Sequence, residues 1–216
     1  MNCLVIAATA IEIFPFLEKL RSSDSWPGSA NVDVLLTGIG LTATTYSLTR
    51  QFGLKRPDLV IQAGVGGCFD SRIKPGTVLA IKRETIADQS VIELNELKSL
   101  FDLKLVPQDQ YPYTKGWLVN KNELLKITGL KKVNGISVNE ISTSPKKIAF
   151  YRQHFDPVVE SMEGAALHYV CLMEKIPFIQ LRSISNAIGE RNKKKWNMKE
   201  AVANLNKELI KLLDKL

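Results

Sequence analysis

The sequence has no apolar run that approaches the roughly 20 residues a membrane-spanning helix needs. Its three cysteines, Cys3, Cys68 and Cys171, have neither metal-binding spacing nor the even number of a disulfide framework. Each lies in an apolar context, which predicts buried thiols and fits a reducing cytoplasm. The first residues lack the basic segment of a signal peptide, and Glu12 interrupts their apolar run, so a first core strand is predicted there.

The formal net charge of +7 invites a nucleic-acid interpretation. The lysines are scattered, however, and the densest cluster, ERNKKKW at 190–196, is short. A solvated basic face is therefore expected, part of which could serve a small anionic substrate. Neither a nucleic-acid partner nor a membrane partner is predicted.

Strand-like apolar runs alternate with helical periodicity, which predicts one α/β domain over residues 1–216, with a central mixed β-sheet flanked by helices. Several runs are continuous in Val, Ile and Leu, as is typical of strands buried on both faces. Strands are predicted at 2–9, 32–40, 58–67, 76–84, 135–142, 157–163 and 177–185. Helices are predicted at 10–22, 41–53, 145–155, 164–175 and 197–216. The less regular residues 85–131 are expected to hold insertions or edge elements.

Polar or glycine-rich segments follow five of the predicted strands. Ligands in open α/β sheets bind beyond the carboxyl ends of the strands, so these segments mark the expected site. The first strand runs into TAIE with Glu12, and the second and third end in TGIG and AGVGG. The last two run into ESMEG with Glu163 and SISN with Asn186. Two carboxylates, two glycine-rich turns and an amide are thus expected at one edge of the sheet.

Each of these features alone has an ordinary structural explanation. GVGG usually forms a tight turn, and because its spacing differs from GxGxxG, no nicotinamide cofactor is expected. Glu163 at a strand-to-helix junction is favoured by the helix dipole, and Glu12 could be a first-turn surface acid. Asn186 could cap the turn after its strand. No other cofactor and no metal ion are predicted.

Taken in order, the motifs resemble the signature of the nucleoside phosphorylase and nucleosidase superfamily. VESMEGAALHYVC and IPFIQLRSISN match its Met-Glu pair at the start of a helix, its Pro-Phe pair and its strand ending in Arg-x-Ile-Ser before Asp or Asn. TGIG and AGVGG match its two earlier turns, and Glu12 lies where its nucleosidases carry a water-activating glutamate. The resemblance extends from Val5 to the final helix and implies a nucleoside phosphorylase-like fold.

The resemblance also implies a role for each matching residue. Glu163 would accept hydrogen bonds from both ribose hydroxyls and stabilise an oxocarbenium ion, with Met162 beneath the ribose. Glu12 would deprotonate the attacking water, and Asn186 would bind the base. A homodimer is implied, because most members are dimers or larger. Further substrate contacts are expected from Ile39, Gly64, Val65, Ile141, Ser185 and Arg191.

Members of the superfamily differ in whether phosphate or water attacks the sugar. The phosphate-using members carry Arg-x-Gly-Ser/Thr at the third strand, where this sequence has Gln62 and Val65 in place of the arginine and the hydroxyl residue. The first strand also leads into ATAIEIF, which has no basic residue. A phosphate dianion would lack the charged partners it needs, so water is the predicted nucleophile.

Asn186 bears on the identity of the base. Adenine-specific nucleosidases of the superfamily have an aspartate here, which when protonated donates to purine N7 and accepts from the exocyclic amine. An asparagine can instead donate to a 6-oxo group and accept from N7–H. With adenine its donor would face a donor, which costs roughly 1–3 kcal/mol in a buried site. A hypoxanthine-type leaving group is therefore predicted.

The stretch SISNAIGERNKKKW, together with Met-Glu, resembles the futalosine hydrolases of this superfamily. That resemblance implies cleavage of futalosine to hypoxanthine and dehypoxanthine futalosine, a step of the alternative menaquinone pathway. Arg191 or a lysine of NKKKW is a candidate partner for the benzoate of futalosine. Ile141 replaces an aromatic residue of adenine-specific relatives, so the stacking partner of the base stays open. The alternatives are a methylthioadenosine/adenosylhomocysteine nucleosidase, a purine nucleoside phosphorylase and an inactive nucleoside-binding protein.

Overall fold

The computed structural model describes residues 1–22 and 31–216, in which a mixed sheet is flanked by helices. This arrangement confirms the predicted α/β fold. The strands are β1 (Asn2–Ala7), β2 (Asn31–Leu36), β3 (Leu59–Cys68), β4 (Val78–Glu84), β5 (Ser90–Glu93), β6 (Glu96–Ser99), β7 (Tyr113–Thr114), β8 (Trp117–Val119), β9 (Lys132–Ser137), β10 (Val159–Ser161) and β11 (Phe178–Ala187). The α-helices are α1 (Phe14–Arg21), α2 (Leu41–Leu54), α3 (Pro145–Phe155), α4 (Gly164–Met173) and α5 (Met198–Leu213).

The main sheet runs in the order β2-β1-β3-β10-β9-β4-β8-β7, and β11 pairs with both β3 and β4. β11 lies parallel to β3 and antiparallel to β4, so β3, β10, β9, β4 and β11 close a ring. β5 and β6 form a separate antiparallel hairpin. The long strands β3 and β11 are therefore central, and their carboxyl ends emerge side by side.

Alternate residues of β1 face opposite layers of the molecule. Val5 packs in a cluster with side chains of α1 and α5, whereas Ile6 packs with side chains of α2 and α4. Both faces of the strand are buried, which explains its continuous apolar sequence. Helix α5 contributes Leu205, Leu209 and Leu212 to the first layer at the spacing of one helical face.

Several predicted elements end earlier or later than the sequence pattern indicates. β1 stops at Ala7 and α1 begins only at Phe14, so Glu12 lies in the turn between them. β9 ends at Ser137, which leaves Ile141 in the following loop. The predicted elements are longer than the observed ones because the apolar residues beyond them, such as Ile11 and Ile141, line a cavity instead of continuing the strand or helix.

The last two strands of the site also differ from their predicted bounds. β10 is confined to Val159–Ser161, since Met162 and Glu163 turn into α4. β11 extends to Ala187, so Asn186 belongs to the strand. In the irregular region the edge elements are the β5–β6 hairpin and the short strands β7 and β8. This outcome confirms the expectation of insertions or edge elements there.

The three cysteines are free and buried, as predicted. Burial raises the pKa of Cys3 to about 12 and also raises the pKa of the other two thiols. Within the described residues, no helix combines the length and apolar character that crossing a membrane requires.

Candidate active site

A cavity of about 350 Å³ lies at the carboxyl ends of β1, β2, β3, β9, β10 and β11. All the predicted site residues except Gly64 line it: Glu12, Ile39, Val65, Ile141, Met162, Glu163, Ser185, Asn186 and Arg191. The sheet therefore brings together residues that are far apart in sequence. Gly64 does not line the cavity. A Cβ atom at this position would be 2.3 Å from Arg182 Nη1 and 3.1 Å from Glu12 Oε1.

Glu12 is buried, and its carboxylate is held at both oxygens. Oε2 accepts hydrogen bonds from the Thr9 backbone N–H (3.0 Å) and hydroxyl (3.2 Å), and Oε1 accepts from Val65 N–H (3.1 Å). Burial raises the pKa of Glu12, while the positive charge of Arg182 opposes that rise. A carboxylate with a raised pKa binds a proton more readily, as a general base must.

Asn206 of α5 fixes the turn that carries Glu12. Its Nδ2 donates to the Glu12 carbonyl (2.9 Å), and its Oδ1 accepts from Phe16 N–H (3.0 Å) in the first turn of α1. One buried amide thus accepts a hydrogen bond from an N–H at a helix start and ties the Glu12 backbone to a helix 194 residues away in sequence.

Glu163 occupies the N-cap position of α4 and points back into the cavity. Its Oε1 accepts from Gly40 N–H (3.2 Å) in the TGIG turn, and its Oε2 forms an ion pair with Arg182 Nη2 (3.3 Å). The next residue must be small, because a Cβ on Gly164 would lie 2.2 Å from Glu84 Oε1. The glutamate and the glycine after it are therefore both fixed by packing at the helix start.

Arg182 was not among the predicted site residues, although it lies between the two carboxylates. It is fully buried in β11, and its guanidinium donates to Gln62 Oε1 (3.0 Å) and the Val65 carbonyl (3.3 Å) as well as pairing with Glu163. The signal in the sequence is a lone arginine inside the apolar strand FIQLRSIS. A buried charge needs partners, and the carboxylate of Glu163, which pairs with Arg182, faces the cavity.

The Asn186 side chain has a defined orientation. Its Nδ2 donates to the Ala187 carbonyl (2.9 Å), and its Oδ1 accepts from the Ser185 hydroxyl (2.7 Å), which also lies 3.2 Å from the Gly66 carbonyl. Because a backbone carbonyl only accepts, the NH₂ group must face Ala187. The amide keeps one N–H and one lone pair of its oxygen for a ligand.

The rim of the cavity combines apolar and basic side chains. Ile39 and Ile141 are 62% and 42% exposed, so apolar surface is available on the loops after β2 and β9. Arg191 lies 5.6 Å from the ring centre of Trp196, whose Nε1 donates to the Glu190 carbonyl (2.9 Å). The arginine thus lies at the edge of the cavity, within reach of an anionic group on a ligand.

A family model for the phosphorylase superfamily matches residues 26–216 of the chain. A futalosine hydrolase from Thermus thermophilus is 26% identical over 97% of this chain and 94% of its own length. A 5'-methylthioadenosine/S-adenosylhomocysteine nucleosidase from Buchnera aphidicola is 29% identical over 83% of this chain and 77% of its own length.

Solved structures with the same two names share the fold. A 5'-methylthioadenosine/S-adenosylhomocysteine nucleosidase from Helicobacter pylori superposes with a TM-score of 0.82 at 20% identity, covering 100% of this chain and 99% of its own. A futalosine hydrolase from the same organism gives a TM-score of 0.82 at 19% identity, covering 100% and 98%. Overall similarity does not separate the two groups of relatives, so the substrate must be inferred from the residues of the cavity.

Proposed function

The chain belongs to the phosphorylase superfamily, and we propose that it hydrolyses the N-glycosidic bond of futalosine to hypoxanthine and dehypoxanthine futalosine. The observation that carries the choice of substrate is the fixed amide of Asn186. Its NH₂ group matches the O6 acceptor of hypoxanthine and opposes the amino group of adenine. Relatives named futalosine hydrolase, 26% identical to this chain, support the proposal.

In the proposed mechanism Glu163 binds the ribose. Its two oxygens accept from the 2′- and 3′-hydroxyls, and Met162 lies against the apolar face of the sugar. As the C1′–N9 bond breaks, its electron pair leaves with the base and positive charge develops on the sugar. The carboxylate of Glu163, held by Gly40 and Arg182, stabilises that charge without reorganising.

Glu12 activates the water that attacks C1′. It takes one proton from the water as the oxygen bonds to C1′ and later returns it to solvent. The departing base, which carries the electron pair of the C1′–N9 bond, takes up a proton from solvent at N7, and Asn186 Oδ1 can accept a hydrogen bond from that N7–H. The raised pKa of Glu12 favours this proton uptake. Its contacts with Thr9 and Val65 hold the carboxylate toward the cavity.

The contacts of Arg182 support water as the nucleophile. Its guanidinium is already bound to Glu163, Gln62 and the Val65 carbonyl, so it is not free to bind phosphate. Val65 offers an apolar side chain where a phosphate site needs a hydroxyl. This part of the cavity therefore lacks the free arginine and the hydroxyl group that a phosphorylase would need to bind phosphate.

The test is product analysis with futalosine, methylthioadenosine and inosine, each with and without phosphate. We expect hypoxanthine from futalosine at a rate that phosphate does not change, and slow turnover of methylthioadenosine. Phosphate-dependent formation of a sugar phosphate would identify a phosphorylase instead. Tight nucleoside binding without any product would identify a nucleoside-binding protein.

A methylthioadenosine/adenosylhomocysteine nucleosidase is the second candidate, since a relative of that name is 29% identical. It shares the two carboxylates and the fold, and differs in the base it must accept. Faster release of adenine from methylthioadenosine than of hypoxanthine from futalosine would favour it.

We further propose that the enzyme works in the cytoplasm as a homodimer and serves menaquinone biosynthesis. Exposed apolar side chains beside the cavity, Ile11 and Ile39 among them, support an interface between two copies near the site. Light scattering across a range of concentrations tests the dimer. A monomer at all concentrations would contradict it.

A further inference from the structure

Glu163 occupies the N-cap position of α4, yet its side chain does not cap the helix. An N-cap side chain ordinarily accepts a hydrogen bond from the N–H of the second or third helical residue. The Glu163 carboxylate instead accepts from Gly40 N–H and pairs with Arg182. The first N–H groups of α4 therefore need acceptors from other parts of the chain.

Two serines at the ends of neighbouring strands supply these acceptors. Oγ of Ser137, the last residue of β9, accepts from Ala165 N–H (2.8 Å). Oγ of Ser161, the last residue of β10, accepts from Gly164 N–H (3.3 Å). Ala165 is the second residue of α4, so the fully buried Ser137 makes the hydrogen bond that an N-cap side chain would otherwise make.

Glu84 orients the Ser137 hydroxyl for this role. The Ala165 N–H can only donate, so Ser137 Oγ is the acceptor in that bond and its single proton is left for another partner. Glu84 Oε2 accepts that proton at 3.1 Å, and Glu84 Oε1 in turn accepts from Gln180 Nε2 (2.9 Å). A chain of buried hydrogen bonds thus connects β11 with the start of α4.

The lone pairs that Glu163 keeps match the ribose in number. A carboxylate offers about four acceptor positions, shared equally between its oxygens. Gly40 N–H uses one position on Oε1, and Arg182 uses one on Oε2. One position on each oxygen is left, and in the mechanism above these accept from the 2′- and 3′-hydroxyls. A further bond from Glu163 to its own helix would remove one of them.

We propose that Ser137 is a positioning residue, which caps α4 in place of Glu163 and thereby keeps both carboxylate oxygens available to the ribose. Ser137 does not line the cavity and acts only through Glu163. The inference rests on the proposed function, since it requires a substrate that carries a ribose. It extends the site to a residue behind the helix start.

The Ser137→Ala variant tests this role, because it removes the acceptor of the Ala165 N–H. Glu163 can then accept from that N–H and has one position fewer for the ribose. The free energy of a helix cap corresponds to a shift of about 2- to 30-fold in such a competition. We expect the ratio of kcat/KM for futalosine to that for 2′,3′-dideoxyfutalosine to fall by this factor. The intrinsic reactivities of the two compounds cancel when the variant is compared with wild type.

Binding gives a second readout that does not depend on bond cleavage. In the Glu12→Gln protein, in which cleavage should be slow, calorimetry measures the affinities for inosine and 2′,3′-dideoxyinosine. Adding Ser137→Ala should weaken inosine binding by about 2- to 30-fold and leave dideoxyinosine binding unchanged. Should Ser137→Ala not fold, Ser137→Cys replaces the hydroxyl by a weak acceptor of similar size and should cause a smaller loss of inosine affinity.

The matched control is Ser144→Ala. Ser144 is the N-cap of α3, where its Oγ accepts from Lys147 N–H (3.5 Å), and it does not line the cavity. The same substitution therefore removes a helix cap at another place, and it should lower the free energy of unfolding without changing the ratio of the two kcat/KM values. An equal fall of that ratio in both variants would overturn the positioning role of Ser137.

The two readouts separate this inference from the proposed function. Cleavage of futalosine by the wild type, with an unchanged ratio in Ser137→Ala, would overturn the role of Ser137 and leave the proposed function standing. Weaker binding of inosine alone in Ser137→Ala, without cleavage of futalosine by the wild type, would support Ser137 and overturn the proposed function. Equal affinities of the Glu12→Gln protein for inosine and 2′,3′-dideoxyinosine would contradict the ribose contacts of Glu163 and, with them, the role of Ser137.

Discussion

At the scale of single residues, Glu12 and Glu163 have different partners and should give different kinetic defects. Glu12 is held by Thr9 and Val65 for proton transfer, and the ground-state nucleoside scarcely needs it. Glu12→Gln should therefore lower kcat by about 10²- to 10⁴-fold with little change in KM. Glu163→Gln should raise KM as well as lower kcat, since it contacts the ribose before and during bond cleavage. Steady-state kinetics with futalosine measure kcat and KM for both variants. Near-normal turnover by either variant would show that the replaced glutamate does not have the role proposed for it.

The base preference should respond to the chemistry of residue 186. A protonated aspartate donates to N7 and accepts from an amino group, so Asn186→Asp should narrow or invert the preference for 6-oxopurines. One mismatched hydrogen-bond pair should change the ratio of the kcat/KM values for the 6-oxo and 6-amino substrates by about 5- to 150-fold. The gain for the 6-amino substrate should grow as the pH falls and the acid is protonated. A ratio that equals that of the wild type at every pH would show that this side chain does not select the base.

At the scale of elements, α5 positions the catalytic turn through Asn206. Asn206→Ala would remove the buried hydrogen bonds that its amide makes to the Phe16 N–H and the Glu12 carbonyl, so the free energy of unfolding should fall by about 1–3 kcal/mol. Turnover should fall as well, because Glu12 loses its backbone anchor. Asn204→Ala is the matched control on the same helix, as Asn204 bonds to the Gly76 carbonyl (2.9 Å) away from Glu12. Denaturant titration and kcat together check the prediction; equal loss of kcat in both variants would contradict it.

The elements also show what sequence patterns can predict. Long strands buried on both faces, such as β3 and β11, are evident as continuous apolar runs, and the polar residues at their ends indicated the cavity. The short edge strands β7 and β8 are too brief to show a period. The sequence shows Arg182 as a lone charge inside an apolar strand, but its role could not be assigned from the sequence, because its partners belong to other segments of the chain. The Gln62 oxygen that binds Arg182 lies 120 residues away.

At the scale of the whole molecule, two buried ionisable groups give opposite pH dependences of stability. Burial raises the pKa of Glu84 from 4.5 to about 7, although Gln180 (2.9 Å) and Ser137 (3.1 Å) donate to its carboxylate. Unfolding therefore releases a proton between pH 4.5 and about 7, and stability from this group is lost as the pH rises. Burial lowers the pKa of His168 from 6.5 to about 4, so stability from that group is lost as the pH falls through this window.

Replacing Glu84 separates the two contributions. The free energy of unfolding of Glu84→Gln, relative to wild type, should increase by roughly 3 kcal/mol between pH 4.5 and 7, since the amide has no proton to lose. Glu208→Gln, which alters only a surface pair with Lys211, should show no such trend. Chemical denaturation at several pH values provides the measurement. A constant difference between Glu84→Gln and wild type would mean that Glu84 titrates normally in the folded protein.

The comparison of futalosine with 6-amino-6-deoxyfutalosine in phosphate-free buffer tests the central claim most directly. The two compounds differ only at the purine 6-position, so the binding energy of the benzoate and ribose is the same for both. The fixed amide of Asn186 predicts hydrolysis of futalosine with a kcat/KM higher by about 5- to 150-fold. Equal values, or faster cleavage of the 6-amino compound, would contradict the account.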